Sequence, residues 1–193
     1  MKRFKDILCT VELGKECKLA LERAVTLAEN NQANLTVITM APSISAGTGM
    51  PEGGPISTEL QAATVNSHKQ ELENLVEPYR NRIKIETRVL IGIPFLEIIR
   101  EVLRNAHDLV MKVAEHDSGL VSSLFGSTDM HLMRKCPCPV WIDRAGDEPA
   151  YHRILAAVDP FDDESGSLQR LILDLATSLS EREHATLDVM HAW

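Results

Sequence analysis

Short apolar runs alternate with helical stripes along most of the chain, and that order leaves few folds open. Ile7-Leu8-Cys9-Thr10-Val11 is compact and largely apolar, the pattern of a parallel strand buried on both faces. Cys17, Leu21, Ala24, Val25 and Ala28 then recur at helical spacing, and Leu35 to Met40 reads as a second strand. After a loop over Ala41–Ser57, rich in Gly, Pro and Ser, a helix carries Val65, His68, Leu72, Leu75 and Tyr79 on one face. Ile83 to Leu90 alternates in polarity, as a strand near a sheet edge does. Pro94 opens a helix bearing Phe95, Ile98, Ile99 and Val102, with Pro tolerated in the first turn. Leu109 to Val113 forms the next strand, a short helix runs through Leu132 and Met133, and Val140-Trp141-Ile142 supplies the fifth strand. Strand–helix alternation implies an α/β fold with helices on both faces of a five-stranded parallel sheet. Right-handed crossovers make that sheet doubly wound. Ligands in such sheets sit beyond the carboxyl ends of the strands, where the strand order reverses.

The chain also repeats itself. Ile7-Leu8-Cys9-Thr10-Val11-Glu12 is echoed by Ile154-Leu155-Ala156-Ala157-Val158-Asp159, and Ala33-Asn34-Leu35-Thr36-Val37 by Ala185-Thr186-Leu187-Asp188-Val189. Leu168, Leu171, Ile172, Leu175 and Leu179 form a helical stripe between the echoes. This gives a complete domain over 1–146 and a partial second copy, strand–helix–strand, over 147–193. Such a piece cannot cover its own sheet. The expectation is a truncated second domain, or one completed by another chain.

Several function classes are excluded or disfavoured by charge and hydropathy. A net charge of −8, with no Lys/Arg run, argues against nucleic acid and anionic membranes as partners. No stretch is apolar for long enough to suggest a membrane span, and the basic start Met1-Lys2-Arg3 lacks a secretory apolar core. A cytoplasmic protein is expected. Four cysteines are too few for a disulfide framework in a chain of this length. Cys9 and Cys17 fall on apolar faces as small core residues, and Cys136-Pro137-Cys138-Pro139 lacks the second ligand pair a metal site needs.

Catalytic signatures are also missing. Gly47, Gly49, Gly53 and Gly54 lack the GK-S/T ending of a P-loop, and there is no G-x-S-x-G elbow or HExxH. His68 lies on an apolar helix stripe and reads as structural, His116 with Glu115 and Asp117 as a solvated loop, and His131 as a surface residue. No catalytic residue is assigned.

Five local signatures in order resemble the universal stress protein family: Ile7–Glu12, Gly92-Ile93-Pro94, Asp108-Leu109-Val110-Met111, Gly126-Ser127 and Cys138-Pro139-Val140. They cover essentially residues 3–145, and the duplicated start is similar to that of tandem-domain members. The resemblance implies a Rossmann-like domain that dimerises through its last strand, at Ile142. Many members bind ATP through a loop of the form G-x2-G-x9-G-S/T, in which glycines let the backbone approach the phosphates and helix amides meet their charge. An acidic residue after the first strand contacts the nucleoside.

Counting back from Gly126-Ser127 puts Val113 and His116 where the two earlier glycines belong, and Glu12 where the family carries Asp. The implied site, a degenerate one, comprises Glu12, Met40, Val113, His116, Gly126, Ser127 and Thr128. Gly126-Ser127-Thr128 also reads as a plain helix cap. The leading expectation is a non-enzymatic stress-response protein acting through a homodimer or another protein partner, with no assigned cofactor. One alternative is an ATP-binding, slowly hydrolysing switch. The weaker one is a small-molecule or lipid carrier using a cleft beside Val113 and Met40.

Overall fold

The structure is a computed structural model, and its described residues are 4–14, 17–44, 55–114, 127–143, 151–159 and 166–191. They divide into two compact units, Lys2–Ala145 and Gly146–Trp193. The first contains β1 (Asp6–Thr10), α1 (Lys18–Asn31), β2 (Asn34–Ala41), α2 (Pro55–Val76) with a 3-10 turn at Glu77–Tyr79, β3 (Ile85–Ile91), α3 (Pro94–Asn105), β4 (Leu109–Val113), α4 (Ser127–Lys135) and β5 (Val140–Asp143). The strand order is β3-β2-β1-β4-β5 and every pairing is parallel. The doubly wound sheet read from the alternation is therefore present, and the order reverses between β1 and β4.

Period-two alternation divides the core into two layers. Leu8, Ile38 and Val110 point to one face, where they meet Ile98 and Val102 of α3 and Leu132 of α4. Ile7, Cys9, Leu35, Val37 and Met111 point to the other, and all are buried, as are Leu21, Ala24, Val25 and Ala28 of α1 and Leu72 and Val76 of α2. β3 is an edge strand, which explains its alternating polarity: Ile85 is buried while Glu86 is exposed.

The loop reading of Ala41–Ser57 overruns at both ends, because β2 includes Ala41 and α2 begins at Pro55, where a first-turn proline costs no hydrogen bond. Gly92, at φ +137, makes the turn from β3 into α3; a Cβ there would lie 3.0 Å from the Glu97 Cγ. Pro94 then starts the helix. At the amino end of the sheet, the Asp108 carboxylate accepts from the amides of Lys5 (2.7 Å) and Asp6 (3.1 Å), tying the entry of β4 to that of β1.

The second unit contains β6 (Arg153–Ala157), α5 (Gly166–Glu183) and β7 (Thr186–Met190). The two strands pair in parallel, Arg153 opposite Thr186. The buried hydrophobic residues of this unit, among those described, are Ala156 and Ala176.

Candidate functional site

In a sheet of this order the ligand crevice lies beyond the carboxyl ends of β1 and β4. Val11 extends the β1 ladder by donating its amide to the Ile38 carbonyl (2.9 Å), and Glu12 follows, exposed. On the neighbouring strand Val113 ends β4 and is half-buried, and the Ala114 amide continues to the Asp143 carbonyl of β5 (2.7 Å). α4 starts at Ser127, which is exposed, with Thr128 buried beneath it. Of the residues singled out from the sequence, Glu12, Val113, Ser127 and Thr128 belong to strand ends and a helix start on this side of the sheet. His116 and Gly126 lie outside the described residues.

Met40 does not join that group. It sits on β2 in the same alternation as Ile38, on the face of α3 and α4, whereas Val113 alternates with Lys112 and takes the opposite face. β1 lies between their two strands. The two residues therefore stand on opposite faces of the sheet.

The charged feature of the crevice is a pair that motif reading passes over. Lys112 is only 6% exposed, and its Nζ lies 2.9 Å from the Oδ1 of Asp129, which is fully buried in the first turn of α4. The same ammonium donates to the Val113 carbonyl at 2.9 Å. The signal was available: a lysine inside an otherwise apolar strand of a two-faced sheet must find a partner, because an unpaired buried charge is very costly. A carboxylate in a helix's first turn is also stabilised by the exposed amides and the dipole. Among the described residues, Lys112 and the amino end of α4 carry positive character that a phosphate would seek, and Asp129 already pairs with Lys112.

A second ion pair stands on the other face. Asp143, buried at the carboxyl end of β5, accepts from the Arg23 guanidinium of α1. His68 is partly buried on α2, its Nδ1 2.9 Å from the Thr64 carbonyl, which fits its structural reading. His131 departs from the surface reading, stacking on the Phe95 ring with centroids 4.3 Å apart. Among the described residues no group of three or more His, Cys, Asp or Glu is placed to hold a metal ion, and no helix is long and apolar enough to cross a membrane. A cleft of about 510 Å³ opens elsewhere, near the ends of β2 and β3, lined by Ile44, Gln61, Val65 and Ile91 among others.

Comparison with known proteins gives this architecture its relatives. The chain is 30% identical over 167 residues to the universal stress protein E homolog of Haemophilus influenzae, a match covering 81% of the chain and 53% of that protein. It is 27% identical over 161 residues to universal stress protein E of Escherichia coli, covering 82% and 51%. The chain thus spans about half the length of the curated relatives it matches. A solved structure of a functionally unknown protein from Pseudomonas aeruginosa superposes with a TM-score of 0.69 at 25% identity, over 100% of this chain and 62% of that one. Universal stress protein UspA from Lactobacillus plantarum shares the fold, with a TM-score of 0.63 at 23% identity over 74% of this chain and 99% of its own. The family model described as universal stress protein family matches residues 3–144, which take in the whole five-stranded sheet and the crevice at its mouth. The chain belongs to the universal stress protein family.

Proposed function

We propose that this protein is a non-enzymatic stress-response factor whose nucleotide crevice is closed to a triphosphate by its own side chains, and that it acts through protein contacts. The observation that carries the reading is the buried Lys112–Asp129 pair at the start of α4. A bound triphosphate would bring several negative charges beside a buried carboxylate whose counter-charge is already engaged. In low dielectric that repulsion is large and poorly screened. Val113 adds a β-branched side chain at the end of β4, where the family loop places a glycine. Contact through the outer edge of β5 fits the same reading, since among the described strands it pairs with β4 alone.

Thermal unfolding with Mg-ATP tests the proposal. A ligand held at a hundred times its dissociation constant would raise the melting temperature of a chain this size by roughly 5–10 °C. No rise is expected at millimolar Mg-ATP. A rise of that size would overturn the proposal in favour of an ATP-binding switch.

A further inference from the structure

The Cys136–Cys138 pair lies at the opposite end of the sheet from the crevice, in the link between α4 and β5. Its two sulfurs are 3.7 Å apart. Both residues are half-exposed, and both pack against the cluster of Val110, Leu132 and Ile98. Forming a bond of about 2.0 Å requires them to approach by roughly 1.7 Å, within the reach of small side-chain rotations.

We propose that Cys136 and Cys138 form a hydroperoxide-reactive dithiol, Cys136 attacking and Cys138 resolving. The surroundings set this order. The hydrogen bond from the Cys138 thiol holds Cys136 down at about 7, against the effect of burial. The same hydrogen bond, with burial, the Cys136 charge and the nearby Asp108, pushes Cys138 up. Cys136 is therefore more readily ionised than an ordinary cysteine, and the thiolate is the nucleophile. Arg134 and Lys135 immediately precede it in the last turn of α4. The other cysteines make poor competitors: burial pushes the Cys9 thiol up to about 12, and Cys17 is also raised by burial.

The chemistry balances within the pair and one hydroperoxide. The Cys136 thiolate attacks the terminal peroxide oxygen; an S–O bond forms, the O–O bond breaks, and the departing alkoxide takes a proton to leave as an alcohol. The Cys138 sulfur then attacks the Cys136 sulfenic acid, the S–O bond breaks, and the hydroxide leaves as water with the Cys138 proton. Two electrons pass from the sulfurs to the peroxide, and one disulfide remains.

Hydrogen peroxide is the probe. The reduced full chain is treated with a small excess, free thiols are alkylated, and trypsin is added. Cleavage after Lys135 and Arg144 releases one peptide holding both cysteines. That peptide is expected without alkyl groups and about 2 Da lighter than its reduced form, with dithiothreitol restoring both alkylation sites. The Cys9 and Cys17 peptides should stay alkylated. Full alkylation of the Cys136–Cys138 peptide, irreversible over-oxidation, or crosslinks to Cys9 or Cys17 would overturn the proposal. The order is tested by Cys138→Ser, which should leave a Cys136 sulfenic acid that a cyclic diketone captures. Capture at Cys138 in Cys136→Ser, but not at Cys136 in Cys138→Ser, would overturn the assignment of attacker and resolver. The readout is independent of nucleotide binding, so its outcome and that of the Mg-ATP test fall separately.

Discussion

At the scale of single residues, the most consequential pair is Lys112 with Asp129. Breaking a buried ion pair strands a charge, so Lys112→Met alone should cost about 3–5 kcal/mol in urea unfolding. Replacing both partners, Lys112→Met with Asp129→Leu, should recover most of that loss. A double variant as unstable as the sum of the two single ones would show that the pair is not coupled. Ala106 offers the opposite sign. It ends α3 at φ 53, in the left-handed region that penalises a Cβ. Ala106→Gly should therefore stabilise the chain by about 0.5–1 kcal/mol, read from the urea midpoint. The sequence marks the strand ends and the helix start at Ser127 that border the candidate crevice. A Lys inside an apolar run signals that some partner must exist, but the sequence does not show that the partner is Asp129. Their meeting across the β4–α4 connection is a property of the fold.

Among the elements, α2 is fastened to the edge strand β3 by one carboxylate. Glu73 accepts from the Thr87 hydroxyl and from the Arg80 guanidinium, and these partners hold it below the usual carboxylate range, the Thr87 bond most of all. With the folded value depressed, the stabilisation is complete above the unfolded value near 4.5 and is lost as pH falls through the folded one. The stability gap between the wild type and Glu73→Gln should therefore narrow on acidification from pH 7 to 3. A gap that stays constant would contradict the role given to Glu73. The five strands of the sheet were legible because their apolar runs are bounded by turns and separated by helical stripes. Their limits were less so: Val11 reads as strand by composition, yet β1 ends at Thr10 with only one further ladder bond. The start of α2 was hidden because Pro55 reads as loop punctuation as easily as a first helical residue.

For the whole molecule, the two units differ in how much each buries by itself. The first has a two-layer aliphatic core, whereas the β6–α5–β7 unit leaves Leu155, Leu168, Val189 and Met190 exposed. Two strands and a helix with so small a core are marginal. Amides of β7 should exchange with solvent deuterium orders of magnitude faster than those of β1 and β4; equal protection would mean that the second unit is as firmly held as the first. The position of β1 has a consequence of another kind, for the order in which the chain is made. β1 lies between β2 and β4, with Ile7 opposite both Leu35 and Leu109. Its second neighbour leaves the ribosome about a hundred residues after it, roughly 5–20 s later at ordinary elongation rates. Through that interval Ile7–Thr10, almost wholly inaccessible in the finished protein, has at least one flank open to any other nascent strand. Synthesis that stalls before Leu109 would leave the central strand of the sheet uncovered on that side.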